Sequence, residues 1–91
     1  MKRIQYRRGM KLPEGARYVG RPSRWGNPYK VKLHGRERAL QLYRERVERL
    51  SPEARRIWLE PLRGATALAC YCKPDETCHA DILIEYLEKE S

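Results

Sequence analysis

The chain has 91 residues, 35% of them charged, with a formal net charge of +8 and three cysteines. That length suits one domain, 1–91, with one modest hydrophobic core, and no apolar run approaches the roughly 20 residues that cross a bilayer. The basic N-terminus is not followed by the apolar stretch of a secretory signal, so the expectation is a soluble cytoplasmic protein without membrane contact.

In chain order, MKRIQYRRGM reads as a strand, followed by a turn over 12–15 with Pro13 and Gly15, and Ala16–Val19 as a second short β-prone run. GRPSRWGNP (20–28) is too rich in Gly and Pro for regular structure and reads as a loop. Tyr29–Leu33 reads as a further short extended piece. From Arg36 the period changes, with Leu40, Tyr43, Val47 and Leu50 at three- and four-residue spacing, which predicts an amphipathic helix over about 36–50. The run RERVERL within it reads as a solvated face with i,i+4 pairs such as Glu45–Arg49. His34, before Gly35, reads as a surface or capping residue.

Ser51-Pro52-Glu53 is a helix start, with Ser as N-cap and Pro at the first helical position. This second helix is expected to turn Ala54, Ile57 and Trp58 inward and to end near Pro61 and Gly64. ATALACYC (65–72) is a short apolar run suited to a central buried strand, with Ala65, Ala67 and Ala69 on one face and Leu68, Cys70 and Cys72 on the other. After a turn over 73–76, a last helix from about Cys78 to Glu88 packs Ile82, Leu83, Tyr86 and Leu87. The fold expected is α/β: a short, mainly parallel or mixed sheet flanked by about three helices, with a site at the carboxyl end of the central strand.

Charge is unevenly spread. Residues 1–38 hold twelve Lys/Arg against two acids, whereas residues 39–91 hold eight bases and ten acids. A basic half of this kind suits a polyanion, either nucleic acid or a phosphorylated small molecule, although it also serves solubility. One Asn, two Gln and no Phe beside abundant Arg and Glu resemble the composition of thermophile proteins.

Two segments carry chemistry. In GRPSRWGNP, Gly20 and Gly26 permit close approach, and Pro22 and Pro28 stiffen the chain. Arg21 and Arg24 offer forked donors for phosphate, Ser23 adds a hydroxyl, Trp25 a face for base stacking, and Asn27 either a base-edge contact or a turn. Trp25 as a core anchor is the plainer alternative. In CYCKPDETCHAD (70–81), all three cysteines and His79 fall within twelve residues. In a reducing compartment, three clustered cysteines point to metal or chemistry rather than disulfides. Cys78 and His79 start a helix above the strand end, where helical N–H groups favour a thiolate and depress the pKa of Cys78.

Three readings of this cluster stay open. Cys70, Cys72, Cys78 and His79 can bind zinc, although C-x-C is not the usual knuckle spacing. Cys78 or His79 can be the reacting group of a catalytic site, with Asp81 as orienter, for hydrolysis or transfer on a nucleotide-like substrate. Or the cysteines simply pack, Cys70 above all. A non-enzymatic module that binds nucleic acid or a protein partner through the basic half is the alternative to an enzyme.

ALACYCKPDETCHADILIEYL and YVGRPSRWGNPY, in this order and at this separation, resemble the two signatures of DUF4326, a family of small bacterial and phage proteins, along almost the whole chain. A more distant similarity joins DUF488, where a C-H-R segment lies at the corresponding place and Ala80 stands here instead of the Arg. The resemblance implies Arg21, Ser23, Trp25, Gly26, Asn27, Cys70, Cys72, Cys78, His79 and Asp81 as site candidates and supplies no reaction.

Overall fold

A computed structural model describes residues 1–89. Three strands, β1 (Lys2–Gln5), β2 (Ala16–Tyr18) and β3 (Ala67–Cys70), form one parallel sheet in the order β1-β3-β2. The last strand in sequence is therefore the central one. Lys2 and Ala16 both stand opposite Ala67, and Gln5 stands opposite Cys70. The ladder is extended by Tyr6 N–H to the Cys70 carbonyl at 2.7 Å and by Val19 N–H to the Ala69 carbonyl at 2.9 Å. All four β3 residues are buried, so both faces are covered, as expected of a parallel sheet. The expected strand 65–72 thus shrinks to four residues, because its neighbours offer partners only that far. Cys72 lies beyond it, in a turn.

Four helices follow the same logic of burial: α1 (Val31–His34), α2 (Arg36–Arg49), α3 (Pro52–Leu59) and α4 (His79–Lys89). The segment expected to be extended at 29–33 is instead a turn running into the single helical turn α1. Leu33 and His34 N–H both reach the Lys30 carbonyl, and Gly35 ends the turn at φ +79°. Five residues are too few for periodicity to decide, and no strand lies alongside to pair with them.

In α2, Ala39, Tyr43 and Val47 are buried, and its polar side reaches α4 through Arg44–Glu85 at 2.6 Å and Glu48–Tyr86 at 2.9 Å. Ser51 caps α3 as expected, its Oγ accepting the Ala54 N–H at 3.1 Å. The inward face of α3 differs from expectation. Ile57 is 67% exposed and Ala54 exposed, while Leu59 is fully buried and Trp58 packs partly against the core. With only eight residues, α3 rests on the core by its end, and Leu59 continues into a 3-10 turn (Glu60–Leu62) that buries Leu62.

The core gathers Val19, Tyr43, Val47, Leu59, Leu62, Leu68 and Leu83 between the sheet and helices. α4 buries Ile82, Leu83, Tyr86 and Leu87, as its spacing predicts. Among the described residues no helix is long and apolar enough to cross a membrane.

Candidate functional site

Parallel pairing sends the carboxyl ends of all three strands to one edge of the sheet. The chain leaves β2 through Val19 and Gly20 into the loop 20–28, leaves β3 through Tyr71 and Cys72, and returns at Cys78 to start α4. A cleft of about 150 Å³ opens there. Gly20, Arg21 and Asn27 of the loop form one side. Cys70, Tyr71, Cys72, Cys78 and His79 form the other, with Tyr29, Val31, Arg36 and Leu40 completing the wall. The two segments singled out in the sequence therefore face the same crevice.

The three sulfurs of Cys70, Cys72 and Cys78 all lie within 4.8 Å of one another, and all three thiols are free. Cys70 and Cys78 are buried, with their sulfurs 3.0 Å apart, while Cys72 is half-buried. The thiol contacts to Cys72 and Cys78, followed by burial, push the Cys70 thiol up, so it donates to Cys78. Cys78 moves the other way. Hydrogen bonds from Cys70 and Cys72 pull it down against burial, helped by the Ala80 N–H at 3.5 Å and by Arg3. The direction is the one expected of Cys78, but the neighbouring thiols contribute more to it than the helix N-terminus does.

Two arginines face the sulfurs. Arg36 places Nη1 3.9 Å from Cys72 Sγ, and is itself fixed by the Thr77 carbonyl and Glu76. Arg3 reaches in from β1. Its Nη2 holds the Pro74 carbonyl at 2.9 Å, its Nε lies 3.4 Å from Asp81, and its buried Nη1 has no nitrogen or oxygen partner. Burial works against the Arg3 charge, but the Cys78 contact and the charge of Asp81 together outweigh it, and its pKa rises.

His79 donates from Nε2 to the Val19 carbonyl at 2.8 Å, which leaves Nδ1 bare, 3.5 Å from Cys78 Sγ. Its ring also meets the Tyr43 edge at 5.3 Å. Burial lowers its pKa, so the ring is neutral at physiological pH. Asp81 holds the backbone of Cys78 and not the His79 ring. Its carboxylate accepts the Cys78 backbone N–H at 3.2 Å, the return bond of a capping box, and pairs with Arg3, while Val19 orients His79.

The loop residues divide. Arg21 is exposed on the cleft. Trp25 is 8% exposed, with its indole N–H on the Trp58 carbonyl at 3.0 Å, so it anchors the loop to the core. Arg24 lies exposed over the Trp25 ring, 5.3 Å from its centroid, and the Ser23 hydroxyl is buried with no partner. Neither is among the residues that line the cleft. Asn27 closes the turn: its Oδ1 accepts the Tyr29 N–H at 2.9 Å, and its Nδ2 reaches the Ala39 carbonyl at 3.3 Å. Gly26 is required by crowding, since a Cβ there would lie 2.9 Å from the Arg21 backbone.

Sequence reasoning missed Arg3, Arg36 and Tyr71 as site residues. Tyr71 is 54% exposed on the cleft and packs edge-on to Tyr6 and Tyr18 at 5.3 and 5.9 Å. A tyrosine inside C-Y-C, pointing away from a buried strand end, was the available signal. Arg3 carried none.

Residues 3–89 match the model of a family described as "Domain of unknown function (DUF4326)". The chain belongs to the DUF4326 family. No curated protein and no solved structure matches it. For this DUF4326 chain the site's chemistry is therefore read from its own geometry. Three soft donors within 4.8 Å are close enough to hold a metal ion, with two guanidinium groups to offset the thiolate charge.

Proposed function

We propose that this protein binds a nucleotide-like, phosphate-bearing ligand in the cleft, above a zinc ion held by Cys70, Cys72 and Cys78. The observation that supports this best is that one cleft is lined both by the loop's Gly20, Arg21 and Asn27 and by all three cysteines. Around a tetrahedral zinc, with Zn–S near 2.3 Å, thiolates stand about 3.8 Å apart. The three sulfurs lie close to that spacing, so small side-chain adjustments admit the ion. Zinc would supply a Lewis acid at the cleft floor. Arg21 and Arg36 supply phosphate donors on its walls, and the exposed Tyr71, rather than the buried Trp25, supplies the face for a base.

Two measurements test this. Purified protein should carry one zinc per chain, and Cys72→Ser should lose it. AMP binding followed by calorimetry should weaken about 10–100-fold in Arg21→Ala, the loss of a charge-assisted contact. Protein that holds no metal and instead shows one fast-reacting thiol at Cys78 would move the reading to thiol catalysis. Zinc-loaded protein that ignores AMP but takes up single-stranded RNA with a steep salt dependence would move it to a nucleic-acid module.

A further inference from the structure

We infer that the three-cysteine centre leaves its fourth coordination position open to the cleft, where it takes an anionic oxygen of the ligand, and that His79 stays off the metal. This rests on the metal reading above and sharpens it from a closed structural site to a ligand-accepting one.

The geometry carries the argument. A closed tetrahedral Cys3His site needs four donors at mutual distances of about 3.5–3.8 Å. Among the described residues, the set of mutually close donors is the three sulfurs alone. His79 reaches Cys78, with Nδ1 3.5 Å from its sulfur, yet it stands outside the set. It is also held where it is. Nε2 donates to the Val19 carbonyl at 2.8 Å, Val19 N–H is itself tied to Ala69 of the central strand, and the ring rests against the Tyr43 edge. Drawing Nδ1 toward Cys70 and Cys72 breaks the Val19 bond inside a buried setting and leaves that carbonyl without its partner.

The residues that supply the sulfurs all line the cleft, whereas the neighbouring cavity lined by Glu37, Asp81 and Glu85 takes only Cys78 of the three. The unfilled position therefore points to the cavity. Its surroundings select the donor. Arg21 and Arg36 line the same cavity, and no described Asp or Glu does. An oxyanion is thus favoured over a cation or a neutral amine, and a phosphate oxygen fits the forked guanidinium donors.

Cobalt(II) in place of zinc reports both points by absorption. The sulfur-to-cobalt charge-transfer band counts thiolates, and the d–d bands report coordination. The expected result is a three-thiolate band, with d–d bands that shift saturably on adding azide or inorganic phosphate. In His79→Gln, which keeps an N–H for the Val19 carbonyl, the spectrum should be unchanged and cobalt affinity should fall by no more than the about 10–100-fold typical of an outer residue. A spectrum that changes in His79→Gln, or bands in wild type that ignore both anions, would overturn the open position while leaving the three-cysteine metal site standing. A shift with azide but not phosphate would overturn the oxyanion assignment. Absence of any charge-transfer band would overturn the metal reading and this inference together.

Discussion

Tyr43→Phe probes the joint between core and site. Tyr43 is 1% exposed on α2, and its hydroxyl donates to the Trp25 carbonyl at 2.6 Å, so this bond, beside that from Asn27 to Ala39, fixes the loop 20–28 to the helix behind it. Removing the hydroxyl leaves that carbonyl without its partner in a dry setting, at about 1–3 kcal/mol. For a domain of this size each kcal/mol lowers Tm by about 4–8 °C, so a fall on the order of 10 °C is expected. The variant also removes a pH dependence. Burial pushes the Tyr43 phenol well above its ordinary 10.0. A raised folded pKa means that the stabilisation is full below pH 10 and is lost as pH rises toward the folded value, because the unfolded phenol ionises first. The gap between wild type and variant should therefore narrow by about 1 kcal/mol between pH 10 and pH 11. Urea denaturation of both proteins at pH 8, 10 and 11 gives the comparison, since the thiols and other tyrosines titrate alike in each. A variant as stable as wild type at pH 8, or a gap that stays constant up to pH 11, would refute the reasoning.

Leu68→Ala, at a fully buried position of β3, should cost about 2–5 kcal/mol by denaturant titration, the price of a cavity in the middle of the sheet. Gly26→Ala should cost about 1–3 kcal/mol and weaken AMP binding measured by calorimetry, because the new methyl meets the Arg21 backbone. A chelator strong enough to strip zinc should lower Tm in wild type and leave the Tm of Cys72→Ser unmoved, as binding to the folded state alone requires. Arg3→Met should lower Tm and cut cobalt affinity by about 10–100-fold while keeping the charge-transfer band, since Arg3 faces Cys78 from outside the donor set.

The long periodic elements were legible in the sequence. α2, the Ser51 cap, and the buried residues of α4 follow from spacing and capping chemistry alone, because a 3.6-residue period over eleven or more residues admits few alternatives. The short ones were not. Residues 29–33 and the inner face of α3 were settled by what lay beside them, which no local pattern reports. The site shows the same division. Cysteine spacing located the cluster, and Gly-Pro density located the loop. But whether Trp25 faces ligand or core depended on Trp58, 33 residues away, and Arg3 reaches the Pro74 carbonyl across 71 positions. Side chains recruited from distant segments leave no local signature.

The strand order explains why these segments meet. β3 is last in sequence and central in space, so its two neighbours are strands the chain made first, and their exits flank its own. Each exit delivers an aromatic residue: Tyr6 after β1, Tyr18 at the end of β2, Tyr71 after β3, with ring centroids 5.3–5.9 Å apart. Those tyrosines wall one side of the strand ends, and α4 returns on the other with Cys78 at its start. Over two residues the chain passes from Cys70, 1% exposed, to Cys72, half-buried, across Tyr71 at 54%. A steep gradient of this kind sets one sulfur at the buried floor and another where a ligand can reach it. Cys78 completes the set from the helix side, where the neighbouring thiols, the Ala80 N–H and Arg3 favour the thiolate. Three sulfurs within 4.8 Å of one another at the cleft could hold one metal ion.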